Sequence, residues 1–311
     1  MSEIMIDISI IVPIYNEEGN LQELYKRLTH VLEEQLRITY EIILVDDGSK
    51  DRSWLLINEL HTRNSNVKGI KFSRNFGHHI AITAGMDIAK GKAVILMDGD
   101  LQDQPEEIPK LYQKFLEGFD VVYGVRQERK HSFLKIMTSK IFILLINRIV
   151  GSEVPINSHI FRIMNRKVVN TLNQFRERDR FITGLISFIG FKQIGVEIQH
   201  GQRYAGKTKY TLFKLLKLAM NTVTSFSYKP LQLASLLGII ISCLSFLGVI
   251  YLVIKKFFCG VSIIGWTSTV VIILFIGGIQ MLFLGVLGEY VGRIYAESQN
   301  RPLYVIKETL P

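Results

Sequence analysis

Three short stretches hold most of the side chains suited to chemistry: Pro13-Ile14-Tyr15-Asn16-Glu17, Asp46-Asp47-Gly48-Ser49 and Asp98-Gly99-Asp100-Leu101-Gln102. A fourth, Ser73-Arg74-Asn75-Phe76-Gly77, is basic rather than acidic. So many carboxylates would repel a bare phosphate. They suit a ligand with hydroxyl and ring N–H donors, or phosphates reached through a divalent cation. Asp98-Gly99-Asp100 puts two hard oxygen ligands within one turn, and the glycine lets the backbone bend between them. That donor set fits Mg²⁺ or Mn²⁺ holding a diphosphate, with the metal offsetting charge on a departing nucleoside diphosphate. Alone, Asp-x-Asp also fits an ordinary turn, so its meaning depends on what positions it.

Each stretch follows a short apolar run. The runs are Ile8–Ile14, Tyr40–Val45, Val67–Phe72, Ala93–Met97 and Val121–Tyr123. Amphipathic stretches lie between them, at Leu21–Leu36, Ser53–Arg63, His78–Ala89 and Glu106–Glu117. Strand–helix alternation at this spacing predicts an α/β domain with a parallel sheet and helices on both faces. Unbroken runs such as Ile42-Ile43-Leu44-Val45 fit strands buried on both sides. Ligands bind such sheets beyond the carboxyl ends of the strands, which is where the acids fall. No Gly-x-Gly-x-x-Gly follows the first run and no Gly-Lys-Ser/Thr loop is present, which disfavours a dinucleotide or P-loop site.

Composition divides the 311 residues into two materials. The 62 residues from Leu231 to Gly292 carry only three charges, Lys255, Lys256 and Glu289, whereas the rest has the charge density of a soluble domain. Residues 231–254 and 261–288 are uncharged and long enough to span a bilayer as helices, with Lys255–Gly260 as the turn of a hairpin. Trp266 would anchor at the far interface. Lysines and arginines before and after this block, including Arg203, Lys207, Lys229, Arg293 and Arg301, place both termini in the cytoplasm by the positive-inside rule. Gly288-x-x-x-Gly292 is either a close-packing helix surface or a neutral glycine pair.

Thr211–Asn221 gathers Lys214, Lys217 and Asn221 on one stripe of an otherwise apolar helix, as in a helix lying in the membrane interface; packing on the soluble domain is the alternative. Phe133–Val150 is a second interfacial candidate. The net charge of +9, concentrated from Arg203 to Lys229, points to lipid headgroups or a phosphorylated substrate rather than nucleic acid. The two cysteines, Cys243 and Cys259, form no metal or disulfide pattern, and no secretory signal precedes the first run.

Taken together, the strand-end stretches resemble the family-2 inverting glycosyltransferases of GT-A (Rossmann-like) fold. Within them the likeness is to polyprenyl-phosphate glycosyltransferases, the group of bactoprenol glucosyltransferases and dolichyl-phosphate mannose synthases. Arg203-Tyr204-Ala205-Gly206-Lys207-Thr208-Lys209-Tyr210 and Leu287-Gly288-Glu289-Tyr290-Val291-Gly292-Arg293 extend it over nearly the whole chain.

The resemblance implies a cytoplasmic catalytic domain over 1–208, with 131–150 as its interfacial helix. A juxtamembrane amphipathic helix follows over 209–230, then two membrane helices over 231–292 and a cytoplasmic tail over 293–311. It implies transfer of a hexose, glucose, from a UDP-sugar to undecaprenyl phosphate in a bacterial inner membrane, with inversion, by a chain that forms a homo-oligomer. Pro13, Tyr15, Asn16, Glu17, Asp46, Asp47, Ser73 and Asp98 would hold the nucleotide sugar. Asp98, Asp100 and Gln102 would hold Mg²⁺ or Mn²⁺. Asp98, Asp100, Arg203 and Lys207 would carry the catalysis, and Arg126, Arg162, Arg203 and Lys207 would meet the acceptor phosphate.

One stretch departs from the pattern. Where the family reads Asp-x-Gly-Asp-Phe-Arg-Leu, this chain has Asn157-Ser158-His159-Ile160-Phe161-Arg162-Ile163, losing both acids. A protein-supplied base is therefore in doubt there, and His159 stands as a base or as a packing histidine. A phosphate monoester, largely ionised at neutral pH, can attack without giving up a proton. Three alternatives remain: transfer of an aminopentose to the same lipid, a processive polysaccharide synthase, and a catalytically silent membrane scaffold. Against the synthase, neither Trp54 nor Trp266 follows an arginine, as the Gln-x-x-Arg-Trp motif of those enzymes requires.

Overall fold

Strands without polar interruptions have to be covered on both faces. β1 (Ile8–Ile14) and β2 (Tyr40–Asp46) are buried at every position, as is β4 (Ala93–Leu96). The computed structural model describes residues 6–126, 158–178, 180–199, 229–259 and 265–311. The remaining strands are β3 (Val67–Phe72), β5 (Val121–Arg126), β6 (Ser158–Asn165), β7 (Gln193–Ile198) and β8 (Ile306–Leu310). The helices are α1 (Leu21–Thr29), α2 (Ser53–Arg63), α3 (His78–Ile88), α4 (Ile108–Leu116), α5 (Arg166–Leu172), α6 (Ile182–Phe188), α7 (Lys229–Cys259) and α8 (Trp266–Ser298). The first helical stretch, expected as one helix to Leu36, is α-helical only to Thr29. It continues as a π-helical segment, His30–Leu36, and stops at Arg37 in the left-handed region.

The eight strands form one sheet in the order β7-β5-β6-β4-β1-β2-β3-β8. β4, β1, β2 and β3 are mutually parallel, as the alternation predicts. The sheet as a whole is mixed, which corrects the all-parallel expectation. β6 runs antiparallel to both β4 and β5, and β8 runs antiparallel to β3. Strand direction depends on partners distant in the chain, and local periodicity does not encode it.

β1 has β2 on one side and β4 on the other, so the chain reverses its direction of travel across the sheet at β1. Their carboxyl ends meet at this switch point, the usual ligand position in an open α/β sheet.

Ile10, Val12, Leu24, Leu28, Ile57, Leu60, Ile108 and Leu111 belong to the core that joins β1 to α1, α2 and α4. Each is nearly or fully buried and contributes about 1.5–3 kcal/mol. α3 covers the opposite face. It approaches closely because Gly85 has no side chain: a Cβ there would lie 2.3 Å from Ile11 Cγ2.

Two compact units emerge. The first comprises residues up to Thr211 together with Pro302–Pro311. Its last residues, expected as a tail, form β8 on the free edge of β3. The second unit, Leu212–Arg301, contains α7 and α8. Lys255 and Lys256 lie within α7 rather than in a turn, because lysine propagates a helix as readily as most residues. Among the described residues, one segment of α8, Phe275–Ser298, is long and apolar enough to cross a membrane by length and composition, while Ala234–Gly248 of α7 is a shorter apolar segment. The expected interfacial helix 131–150, and 209–230 apart from its last two residues, lie outside the described residues.

Candidate active site

The loops after β1 and β2 are laced together by backbone-to-side-chain bonds. Asn16, in the left-handed region at φ 57°, donates its N–H to Ser49 Oγ at 3.0 Å and accepts from the Lys50 N–H through Oδ1 at 2.8 Å. The Glu17 N–H donates to Ser53 Oγ at 3.0 Å, and Glu18 exchanges bonds with Asp51 and Arg52. Glu17 itself accepts from Asn20. Pro13 is buried within β1, paired in register with Val45, while Tyr15 is 45% exposed at the strand's end. Gly48 is required where the loop after β2 meets the loop after β3. Its φ is +71°, and a Cβ would strike the Arg74 backbone at 2.5 Å.

Asp46 and Asp47 are adjacent in sequence and differ in what they hold. Asp46 is fully buried; Oδ1 accepts the Ser49 N–H at 2.8 Å, and Oδ2 has no hydrogen-bond partner among the described residues. A buried carboxylate oxygen left unsatisfied costs on the order of 1–3 kcal/mol, which a ligand donor would recover. Asp47 instead ties down the loop after β3. It accepts the Phe76 N–H at 2.6 Å and the Gly77 N–H at 3.0 Å, and Asn75 Nδ2 reaches its carbonyl at 3.2 Å. Burial pushes the Asp47 carboxyl above the usual range, against those N–H groups. Expected among the nucleotide-sugar contacts, Asp47 thus has its carboxylate turned to the Phe76 and Gly77 amides. Ser73 is exposed at the root of the same loop.

Across β1 lies the stretch after β4. Asp98 lies 3.4 Å from His78 Nε2, and its side chain is 40% exposed. Asp100 Oδ1 accepts the Gln102 N–H at 3.1 Å, with Gln102 half-buried. Leu101 between them adopts φ 60° and is buried, a left-handed conformation that costs a non-glycine residue on the order of 1 kcal/mol or more. Among the described residues no group of three or more His, Cys, Asp or Glu side chains stands close enough to enclose a metal alone. Two partly exposed carboxylates fit a hard divalent cation that takes its other ligands from substrate phosphates and water.

His78 is a site residue that the sequence reading missed. It opens α3, directly after Gly77 in the N-cap position, and so stands at the strand-end edge beside Asp98. Enclosure lowers its pKa, against the pull of Asp47 and Asp100. The available signal was its place, immediately after a loop that follows a strand. His79 beside it packs against Phe181, and burial holds its pKa at about 4, so it is neutral.

Arg126 ends β5, which runs parallel to β4 and so finishes on the same edge of the sheet as Asp98. Arg162, expected at the acceptor phosphate, is only 2% exposed. Its Nη2 donates to Thr183 Oγ1 at 3.0 Å and its Nε to the Ile160 carbonyl at 3.2 Å. Burial lowers its pKa to about 10, which leaves it charged. In β6 it pairs with Leu96, the last residue of β4, and with Tyr123 of β5. Arg203, Lys207 and Asn157 lie outside the described residues.

Acids at the strand ends on either side of the switch point of a mixed α/β sheet are the arrangement of a GT-A-like glycosyltransferase. The model of the glycosyl transferase family 2 matches residues 9–172, which include all three acidic strand ends, and the chain belongs to that family. It is 47% identical over 305 residues to the uncharacterized glycosyltransferase YkcC of Bacillus subtilis (strain 168), covering 98% of this chain and 94% of that one. It is 39% identical over 301 residues to the prophage bactoprenol glucosyl transferase homolog of Escherichia coli (strain K12), covering 96% and 98%. The bactoprenol glucosyl transferase of Shigella phage SfII is 39% identical over 303 residues, covering 97% and 98%.

Proposed function

We propose that this chain transfers glucose from a UDP-sugar to a polyprenyl phosphate of the undecaprenyl type, inverting the anomeric carbon. The observation that carries the reading is the buried Asp46 carboxylate, whose Oδ2 has no donor among the described residues, set across β1 from the partly exposed Asp98 and Asp100. The names of full-length relatives supply the acceptor class.

In this reading Asp46 accepts from the nucleoside, and Pro13, Tyr15, Asn16 and Glu17 wall that side. Asp98 and Asp100, with Gln102, hold Mg²⁺ or Mn²⁺, which when bound supplies charge neutralisation at the leaving diphosphate. The acceptor phosphate oxygen attacks the anomeric carbon in line, the bond to the UDP oxygen breaks, and UDP departs. That nucleophile is already ionised near neutral pH, so the loss of the family's acid at Ile160 removes no necessary base. Arg203 and Lys207, with Arg126, are the cations proposed for the acceptor. Arg162 is left out because its guanidinium is buried against Thr183. α7 and α8 hold the enzyme in the membrane with both termini cytoplasmic.

The test is to incubate membranes containing the protein with undecaprenyl phosphate and a panel of labelled nucleotide sugars, then identify the extracted lipid by mass spectrometry. A hexosyl-phosphoryl lipid made only from UDP-glucose supports the reading. An aminopentose product moves the donor assignment. No binding of any UDP-sugar with Mn²⁺ by titration calorimetry overturns it in favour of a silent scaffold.

A further inference from the structure

β8 covers the edge of β3, and its five residues would suffice for that. The segment preceding it goes further. Beyond the last ladder pair, Phe72 with Ile306, the Ser73 N–H donates to the Val305 carbonyl at 3.0 Å. The Tyr304 ring stacks on Phe72, with centroids 5.1 Å apart and planes 21° apart. Phe72 in turn meets Phe76 edge-on at 5.6 Å, and the Arg74 guanidinium lies over the Phe76 ring at 4.1 Å. The Phe76 N–H is the one that Asp47 accepts. A continuous line of packed groups therefore runs from Tyr304 through Phe72 and Phe76 to the carboxylate beside Asp46.

Tyr304 also holds α3. Its hydroxyl donates to Asp87 Oδ2 at 2.8 Å, and Asp87 receives both Arg176 guanidinium nitrogens at 2.9 and 3.0 Å. α3 is the helix that opens with His78. One aromatic side chain thus braces the loop after β3 and the helix that follows it.

We propose that Tyr304, near the end of the chain, is a positioning residue for the donor site. Its ring fixes the Ser73–Gly77 loop so that Asp47 is fully occupied by amides and Asp46 is left to the nucleoside. The part concerning the nucleoside rests on the donor-site reading above; the bracing of the loop does not.

The test uses the full-length protein in lipid nanodiscs, with Tyr304→Ala and Tyr304→Phe. Amide hydrogen exchange without ligand is followed at residues 73–77 and in β1 as an internal reference. In Tyr304→Ala, exchange at 73–77 should accelerate relative to β1, and KM for UDP-glucose should rise roughly tenfold while kcat stays within about twofold. Tyr304→Phe keeps the ring stack and should restore slow exchange and a low KM. Tyr304→Leu, which keeps most of the buried volume without the ring, replaces the alanine variant should that variant not fold. Unchanged exchange and KM without the ring overturn the proposal, as does a phenylalanine variant as impaired as the alanine one. Should the wild type transfer nothing, the proposed function fails, and the exchange comparison still decides the bracing.

Discussion

On the β2 side of β1, Asp46 and Asp47 are 0% and 3% exposed, and three backbone N–H groups, from Ser49, Phe76 and Gly77, are directed at their carboxylates. On the β4 side, Asp98 is 40% exposed beside a histidine, and Asp100 bonds one amide two residues on. Both pairs lie at carboxyl ends of parallel strands in one sheet. The difference lies in exposure: the β2 pair is buried among backbone amides, whereas Asp98 on the β4 side is partly exposed. In the proposed reading the buried β2 side would take the nucleoside, and the partly exposed β4 side would be completed by a cation and phosphates.

The sharpest way to break this comparison is Asp100→Ala. If the β4 side carries the cation, the variant should stay folded by circular dichroism while metal-dependent transfer falls on the order of 10³-fold, the scale of losing a major electrostatic stabiliser. Turnover at the wild-type rate would remove the metal from this side. Asp46→Asn probes the opposite flank: it keeps shape but exchanges an acceptor for a donor. UDP affinity measured by calorimetry should weaken about 10- to 100-fold, with the Mn²⁺ requirement of any remaining turnover unchanged. A shifted metal requirement would mean that the two sides are not separable.

Gly48→Ala asks whether the β2 side is as rigid as its bonds suggest. Alanine must adopt a positive φ and press on the Arg74 backbone, so thermal stability should drop by about 1–2 kcal/mol and hydrogen exchange at 73–77 should rise. A neutral outcome would show a pliable loop. The smallest effect is expected from His78→Ala. With its pKa lowered, His78 is largely neutral near pH 7 and its 3.4 Å contact with Asp98 is at most a neutral hydrogen bond worth about 1 kcal/mol, so half-saturation by Mn²⁺ should move by less than about fivefold. A loss as large as that of Asp100→Ala would make His78 an essential member of the site.

Much of this site is legible in the residues. β1, β2, β3, β4 and α2 fall within one residue of the apolar and amphipathic runs, because continuous burial leaves few other ways to write a parallel strand. Their acidic ends follow at once. β6, β7 and β8 were missed, and β8 shows a physical reason: it reads Ile-Lys-Glu-Thr-Leu and is mostly exposed, so its role comes from pairing with β3, more than 230 residues away in sequence. The burial of Arg162 was not legible, because a motif fixes neighbours along the chain, whereas burial depends on the strands alongside.

The sequence by itself determined that acids close the strands of an α/β domain and that an uncharged block follows, since both depend on local composition and period. Only the tertiary structure decided which acid is spent on the protein and which is left open. Asp46 and Asp47 are chemically identical neighbours, and a strand turns successive side chains in opposite directions. One therefore meets the amides of a loop braced by Phe72 and Tyr304, while the other keeps an oxygen with no donor among the described residues.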